Sequence, residues 1–219
     1  MEILKIIDHT MLKPDAKESD IIKLCDEALK YRFGAVCVNG VYVAKVNRAV
    51  AYADIKTVAV AGFPLGANET SVKVFEACAA KNAGAVEIDI VINIGALKDK
   101  LYRIVEEDIY KTVESVKDKA LIKVILETCL LTDEEIVTAC KICESAGAAF
   151  VKTSTGINGP GANIRHVELM KKTVGDKLKV KAAGGIKTLK QAMEMVEAGA
   201  DRLGCSSSVQ IAHELMQKS

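Results

Sequence analysis

Several charged residues of this sequence stand inside apolar, strand-like segments. Lys152 lies in FVKTSTG, Lys181 in VKAAGG and Asp89 in EIDIVI. Burial displaces the pKa of an ionisable group, so a lysine in such a position can act as a nucleophile and a carboxylate as an acid or base. These three residues are therefore the first candidates for catalysis.

Side-chain alternation along a strand predicts that these charges share the inner face of one sheet, since residues two apart point to the same side. The outward residues are then Val86, Ile88, Ile90, Ile122, Val124, Leu126, Ala149, Val151, Thr153, Leu178, Val180 and Ala182. The inward residues are Asp8, Glu87, Asp89, Lys123, Glu127, Phe150, Lys152, Ser154 and Lys181, with Arg202 as a further candidate. An inner cluster of both signs favours a functional site, and the alternative is a paired network of purely structural value.

Glycine-alanine junctions organise the elements that carry these residues. Helix-like segments end in Gly-Ala and run into short apolar strands at Gly34, Gly84, Gly147 and Gly199. Glycine tolerates the left-handed backbone that often ends a helix. The other strand candidates are ILKIID (3–8), TVAVAGF (57–63), LIKVILE (121–127) and KVKAAGG (179–185). Eight alternating strand and helix units predict an α/β fold, a (β/α)8 TIM barrel, with residues 1–219 as a single domain.

Composition argues against several classes of protein. Lys and Arg total 30 against 29 Asp and Glu, so no charge field favours nucleic acid or an anionic membrane. The start, MEILKIIDHTMLKP, lacks the pattern of a secretory leader, and no apolar run is long enough to cross a bilayer. The cysteines are odd in number, seven, which argues against a disulfide framework. We therefore expect a cytoplasmic protein that binds neither nucleic acid nor membrane.

Segments along nearly the whole chain resemble the class I deoxyribose-phosphate aldolases, in the order typical of that family. They are IDHTMLKP, AVCVN, EIDIVINIGAL, LIKVILET, FVKTSTG, VKAAGGIKT and LGCSSS. The resemblance implies a lyase that reversibly cleaves 2-deoxy-D-ribose 5-phosphate to D-glyceraldehyde 3-phosphate and acetaldehyde, without a metal or an organic cofactor. Its partners would be this small phosphorylated sugar and acetaldehyde, and a homo-oligomer, dimer or tetramer, is compatible with it.

The resemblance also assigns roles to the inward charges. By position, Lys152 is the Schiff-base lysine, Lys181 the second lysine and Asp89 the acid/base partner. Asp8 and Lys123 match positions that support proton transfer or bind substrate hydroxyls. Elementary chemistry agrees, because cleavage leaves an electron pair on the acetaldehyde carbon, which a lysine iminium accepts as an enamine. We further expect the charge of Lys181 to lower the pKa of Lys152.

Glycine and serine loops after the seventh and eighth predicted strands form the candidate phosphate site. Barrels commonly hold phosphate there, on loop amides and the first turn of a short helix. The residues expected to contact the phosphate are Gly156, Gly184, Gly185, Lys187, Gly204, Ser206 and Ser207. Some family members have a lysine in place of Ile157 and an arginine in place of Lys187. A lysine at position 187 gives a point charge instead of a two-pronged contact.

Other residues with reactive side chains are expected to be structural. Cys37 matches a family cysteine that faces the active site, but a small buried thiol is expected to be inert in catalysis. Cys140 and Cys143 have metal or redox spacing, yet they lie in a helical pattern with a capping box, and no second pair completes a zinc site. The histidines share no motif and are expected on the surface or in packing; they are His9, His166 and His213.

Two further interpretations of Lys152 stay open. The same barrel would also suit another imine-forming enzyme, either an aldolase for a different donor or a pyridoxal phosphate enzyme, and the latter would be yellow. A barrel that only binds a phosphorylated ligand is the non-enzymatic alternative, because folds are widely reused. Borohydride trapping with acetaldehyde separates that alternative from the enzymes.

Overall fold

Eight parallel strands close on themselves in chain order in the computed structural model, which describes residues 2–217. The strands are β1 Ile7–Met11, β2 Ala35–Val38, β3 Lys56–Ala61, β4 Glu87–Val91, β5 Leu121–Ile125, β6 Phe150–Lys152, β7 Lys179–Ala183 and β8 Arg202–Cys205. The barrel closes where β8 pairs with β1, with Leu203 opposite Ile7. The predicted (β/α)8 barrel is confirmed, and the ends of the predicted domain, Met1 and Lys218 with Ser219, lie outside the described residues.

Helices surround the barrel, most of them following a strand. They are α1 Glu2–Lys5, α2 Glu18–Tyr31, α3 Val43–Ala49, α4 Thr70–Asn82, α5 Ile94–Lys98, α6 Tyr102–Val116, α7 Asp133–Ser145, α8 Ile164–Val174, α9 Leu189–Glu197 and α10 Ser208–Gln217. Short 3-10 helices occupy Gly40–Tyr42 and Thr128–Leu130. No helix among the described residues is long and apolar enough to cross a membrane.

Helix α7 begins as its sequence predicts and accounts for the Cys140 and Cys143 pair. The Thr132 side chain accepts a hydrogen bond from the backbone of Glu135, and the Glu135 side chain accepts one from the backbone of Thr132. Both cysteines are buried on the inner side of the helix, and burial raises the pKa of each thiol. All seven cysteines of the chain are free thiols. The pair therefore belongs to the packing of α7.

The predicted first strand is wrong at its start. Residues 3–8 were expected to be extended, whereas Glu2–Lys5 form helix α1 and β1 begins at Ile7. Leu4 is buried, and its carbonyl accepts a hydrogen bond from the Gly34 amide at 3.2 Å. A short apolar run fits either a strand or one turn of helix, and here the buried Leu4 and its bond to Gly34 accompany the helix.

Three of the four glycine-alanine junctions have the expected left-handed glycine. Gly84, Gly147 and Gly199 have φ of 105°, 79° and 103°. The junction at Gly34 differs, because Arg32, with φ 57°, ends α2 instead. Gly34 is needed for space, since a Cβ there would lie 2.0 Å from the carbonyl oxygen of Lys5.

Side-chain alternation separates two layers, as predicted. Outward strand residues such as Ile88, Val124 and Val180 join the large apolar core between barrel and helices. The inner face holds the charged residues and a small apolar group formed by Ala35, Cys37, Val58 and Val60. The prediction fails for Glu127, because β5 ends at Ile125 and Glu127 turns its carboxylate to the loop after β6.

Candidate active site

Asp89 is the centre of the charged cluster inside the barrel. Its Oδ2 lies 2.8 Å from Nζ of Lys152 and 2.7 Å from Nζ of Lys181. Its Oδ1 accepts a hydrogen bond from Nζ of Lys123 at 3.0 Å. Strand register explains the grouping, because Asp89 lies opposite Lys123 across β4 and β5, and Lys152 lies opposite Lys181 across β6 and β7. The structure thus brings together the three predicted catalytic residues and Lys123.

Asp8, Glu87 and Arg202 extend this cluster along the barrel axis. Arg202 contacts Asp8 through two of its nitrogens, and its Nη1 lies 3.1 Å from Glu87. Asp8 also pairs with Lys181, and Glu87 lies 2.6 Å from Nζ of Lys123. Because Glu87 and Arg202 begin their strands, they lie toward the amino-terminal end of the barrel. Glu87 and Arg202 therefore extend the charged cluster on its amino-terminal side.

Charge pairing within the cluster is uneven. The buried carboxylates are Asp8, Glu87 and Asp89, and the buried cations around them are Lys123, Lys152, Lys181 and Arg202. Three of these cations each contact at least two carboxylates. Lys152 has a carboxylate contact with Asp89 alone among the described residues. Loss of one proton from Lys152 would leave three positive and three negative charges on these seven buried residues, while the half-exposed Lys56 adds a further contact to Glu87 at 3.1 Å.

The two active-site lysines have opposite pKa shifts. Burial is the largest cause at Lys152 and lowers its pKa, Asp89 opposes that effect, and the charge of Lys181 adds to it. Burial also disfavours the charged form of Lys181, but Asp8 and Asp89 outweigh it and hold the pKa of Lys181 above its ordinary value. The expected effect of Lys181 on Lys152 therefore has the right sign, although burial is the larger cause.

The carboxylates of the site are held in their charged form. Burial alone would raise the pKa of Asp89, but Lys123, Lys152 and Lys181 outweigh burial and hold the pKa well below its usual range. The same balance, with Lys181 as the strongest charge, lowers the pKa of Asp8. Asp89 is therefore held as an anion beside Lys152, whose pKa is lowered. Among residues 2–217, no three His, Cys, Asp or Glu side chains are arranged to hold a metal ion.

The predicted phosphate residues lie at the carboxyl ends of the last three strands. Gly156 follows β6 and Gly184 follows β7, and a Cβ on Gly156 would lie 3.6 Å from the Cα of Gly184. Gly185 has φ 78° and is exposed, with open space where a side chain would be. Three more residues of this set are the exposed Lys187 and Ser206 and the half-buried Ser207, which directly precedes α10. The last, Gly204, lies within β8.

Gly204 has a second physical reason to be glycine. It lies within β8 opposite Ala183, and a Cβ there would lie 3.2 Å from Cε of Lys181 and 2.9 Å from the Cβ of Ala183. The absence of a side chain at Gly204 therefore leaves room for the Lys181 stem inside the barrel.

Cys37 and the histidines have the structural surroundings expected of them. Burial raises the pKa of the Cys37 thiol to about 11, so the thiol is protonated near neutral pH. His9 is buried beside Phe33 and contacts Glu27 at 2.9 Å. Of the other two histidines, His213 contacts Tyr31 of α2, and His166 contacts Asn163, which directly precedes α8.

Comparison with known proteins agrees with this geometry. The model of the DeoC/LacD family aldolases matches residues 2–211. The deoxyribose-phosphate aldolase of Clostridium tetani is 55% identical over 214 residues, which cover 98% of this chain and 99% of the relative. The solved structure of an aldolase, QR15, has a TM-score of 0.93 and 42% identity, covering 100% of this chain and 97% of its own. Deoxyribose phosphate aldolase from Aeropyrum pernix, described as a unique tetramer, has a TM-score of 0.92 and 32% identity, covering 100% and 92%.

These matches cover nearly the full length of this chain and of each relative. They include the strands that carry Lys152, Lys181 and Asp89. The chain belongs to the DeoC/LacD family of aldolases.

Proposed function

We propose that this protein reversibly cleaves 2-deoxy-D-ribose 5-phosphate to D-glyceraldehyde 3-phosphate and acetaldehyde, with Lys152 as the nucleophile. The observation that carries the proposal is the shared contact of Asp89 Oδ2 with two lysine amines, at 2.8 Å for Lys152 and 2.7 Å for Lys181. Such a group supplies a nucleophile, a proton acceptor and a proton donor at one point. The names of the related aldolases support the same substrate.

Imine formation is the first step. The neutral amine of Lys152 attacks C1 of the open-chain sugar, and the carbinolamine then loses water to give an iminium. The amine must lose a proton and the departing hydroxyl must gain one. Asp89 is placed to accept the proton from Lys152. Lys181, which Asp8 and Asp89 keep protonated, carries a proton that it can donate through the same carboxylate oxygen.

Carbon-carbon cleavage follows from the iminium. The C3 hydroxyl gives up its proton, the C2–C3 bond breaks, and its electron pair moves to the iminium to form an enamine. D-Glyceraldehyde 3-phosphate then leaves. Protonation of C2 and hydrolysis of the resulting imine release acetaldehyde and restore Lys152. Asp89 contacts Lys152 directly and Lys181 contacts the same carboxylate, so these two buried groups are proposed to carry the protons.

Lys152 suits the nucleophile better than Lys181 does. Only a neutral amine attacks a carbonyl, and the pKa of Lys152 is lowered whereas that of Lys181 is raised. Lys181 also contacts two carboxylates, Asp8 and Asp89, which fix its charge. Lys181 is therefore proposed as the proton donor and acceptor. Asp8 and Lys123 are proposed to support it by pairing with Lys181 and Asp89.

The phosphate of the sugar is proposed to bind at the rim formed after β6, β7 and β8. Loop amides and the first turn of α10 offer hydrogen-bond donors to an anion. The residues proposed to bind it are Gly156, Gly184, Gly185, Lys187, Gly204, Ser206 and Ser207. Lys187 is exposed, so we assign it a smaller share than the backbone amides.

Cleavage of deoxyribose 5-phosphate by wild type and by Lys152→Leu tests the proposed function. We expect the wild type to release acetaldehyde and the variant to be inactive while remaining folded. A variant that keeps more than a small fraction of the wild-type rate would assign the imine to another residue. A yellow wild-type protein with absorbance that borohydride removes would instead indicate bound pyridoxal phosphate.

We also propose that the protein is a cytoplasmic homo-oligomer. Its seven cysteines are all free thiols, as is usual in a reducing compartment. The related enzyme from Aeropyrum pernix is described as a tetramer, and large apolar side chains such as Val41, Tyr52 and Phe75 are exposed on this chain. Sedimentation equilibrium of the purified chain measures the state, and a monomer at micromolar concentration would contradict the proposal.

A further inference from the structure

Glu127 lies two residues after the end of β5, in a conformation that few glutamates adopt. Its φ is 56° and its ψ is 59°, which is left-handed backbone. A residue other than glycine adopts this region at a cost, and such residues concentrate at functional positions. The side chain is buried, with 1% exposed. The imine chemistry of Lys152 makes no use of this carboxylate.

The Glu127 carboxylate ties three strand-end segments together. Its Oε1 accepts a hydrogen bond from the Thr155 amide at 3.1 Å, and its Oε2 accepts one from the Thr155 hydroxyl. The side-chain amide of Asn158 donates to Oε2 at 3.0 Å and to the Pro64 carbonyl at 2.8 Å. We call these four residues, Pro64, Glu127, Thr155 and Asn158, the Glu127 clip. It joins the segments that follow β3, β5 and β6.

Residues of the clip flank Gly156, one of the residues proposed to bind phosphate. Gly156 is exposed and lies between two clip residues, Thr155 and Asn158. The Thr155 hydroxyl also accepts a hydrogen bond from the Ile157 amide at 3.1 Å, so the turn has contacts on both sides of Gly156. Beyond the turn, the Ala162 amide donates to the Gly184 carbonyl at 3.1 Å. The loop after β6 is thus held against the loop after β7.

Lys152 is held independently of the clip. Its carbonyl accepts a hydrogen bond from the Leu126 amide at 2.9 Å, and the next amide, that of Thr153, donates to the Lys181 carbonyl at 3.0 Å. These bonds belong to the strand ladder. Loss of the Glu127 carboxylate would therefore free the turn at Gly156 without moving the lysine that forms the imine.

We propose that Glu127 is a positioning residue for the phosphate end of the substrate, acting through the Glu127 clip on the backbone of Gly156. The inference rests on the proposed function, because Gly156 belongs to the phosphate-binding part of the same proposed active site. A loop that is not held in place must be ordered when the ligand binds, and the cost appears in the affinity for the group that the loop contacts. Remote binding of the phosphate depends on the clip, and acetaldehyde imine formation does not.

Glu127→Ala and Asn158→Ala test the proposal in the full-length protein. We expect each variant to lose about tenfold or more in kcat/KM for deoxyribose 5-phosphate, mainly through KM. The loss for unphosphorylated deoxyribose should stay within about threefold. The rate of borohydride trapping of acetaldehyde should match wild type. For Glu127→Gln, kcat/KM for deoxyribose 5-phosphate should lie between the values of wild type and Glu127→Ala. The glutamine keeps an acceptor for the Thr155 amide but turns an amide nitrogen toward Asn158.

Asp201→Ala is the matched control at the opposite end of the barrel. Asp201 Oδ2 accepts a hydrogen bond from the Val180 amide at 2.8 Å, so its loss also removes a carboxylate-to-backbone contact beside a strand. We expect Asp201→Ala to lower the midpoint of urea unfolding while leaving the preference for the phosphorylated sugar unchanged. A variant of Glu127 that behaves in the same way would be merely structural, and the proposal would be wrong.

Other outcomes overturn the proposal in recognisable ways. Equal losses for both sugars, or slower acetaldehyde trapping, would show that the clip supports the reacting lysine. Unchanged KM in both Glu127→Ala and Asn158→Ala would show that the clip has no part in binding phosphate. If Glu127→Ala does not fold, Asn158→Ala alone decides. Failure of the wild type to trap acetaldehyde or cleave the sugar would reject the proposed function itself.

Discussion

Lys152 and Lys181 contact the same oxygen of Asp89, yet only Lys181 has a second carboxylate partner, Asp8. The two lysines lie opposite each other on adjacent strands, and Asp8 is the carboxylate that distinguishes them. Asp8 stabilises the charge of Lys181 and helps to raise its pKa. At Lys152 the attraction of the single carboxylate, Asp89, does not offset burial, so the pKa is lowered. This difference supports our proposal that Lys181 is the proton carrier and Lys152 the nucleophile.

Lys181→Leu should move the acid limb of imine formation at Lys152 to higher pH. Removing a neighbouring positive charge makes protonation of Lys152 easier, so the pKa of Lys152 rises. Turnover should fall as well, because the proton carrier is lost. The rate of borohydride trapping with acetaldehyde, measured against pH, gives the apparent midpoint. A trapping profile at the wild-type position would leave Lys181 as a proton carrier alone.

Arg202→Met, at the amino-terminal end of the charged cluster, should also move the acid limb of imine formation at Lys152 to higher pH. Arg202 is a buried cation that pairs with Asp8 and Glu87. Its removal lowers the positive charge of the cluster, so the protonated form of Lys152 is repelled less and the trapping midpoint moves to higher pH. The double variant Arg202→Met with Glu87→Gln also removes one negative charge and should return the midpoint toward wild type. Equal midpoints in the single and double variants would show that the number of charges does not set the pKa of Lys152.

Asp8→Asn should destabilise the protein at neutral pH and progressively less in acid. The pKa of Asp8 is lower in the folded protein than in the unfolded chain, so its charge stabilises the fold above about pH 4, and this contribution falls as pH drops below that value. Breaking a buried pair costs about 3 to 5 kcal/mol. The difference in unfolding free energy between wild type and variant should narrow by about 1.4 kcal/mol per unit below pH 4.

Urea unfolding at several pH values measures this difference for Asp8→Asn. The control is Asp15→Asn, since Asp15 is exposed in the turn before α2, and it should change stability little at any pH. A constant gap between wild type and Asp8→Asn from pH 7 to pH 3 would contradict the charge pairing of Asp8 with Lys181 and Arg202.

Gly185→Val should impair the phosphorylated sugar more than the free one. Gly185 is exposed at the rim with φ 78°, so a branched side chain there strains the backbone and fills space proposed for phosphate. We expect kcat/KM for deoxyribose 5-phosphate to fall about tenfold or more, and Lys187→Ala to cost about threefold or less. Steady-state kinetics with both sugars measures these ratios, and equal losses for both would place the phosphate elsewhere.

Local pattern was sufficient to predict the barrel and the inward charges. Alternation along single strands placed Lys152, Lys181 and Asp89 on one face, and the closed sheet then brought them together. The pairing inside the cluster was not predictable, because it depends on register between distant strands and on side-chain conformation. The left-handed conformation and loop contacts of Glu127 were missed for a related reason, since alternation ends where β5 stops at Ile125 and no local signal marks a left-handed glutamate.

Reductive labelling of the intact protein tests the central claim most directly. Acetaldehyde and borohydride should add a single ethyl group, and peptide mass analysis should place it on Lys152, because reduction makes the imine permanent. Lys152→Leu should remain unlabelled under the same conditions. Labelling that falls mainly on Lys181, or that spreads over several surface lysines, would contradict the assignment of Lys152 as the nucleophile.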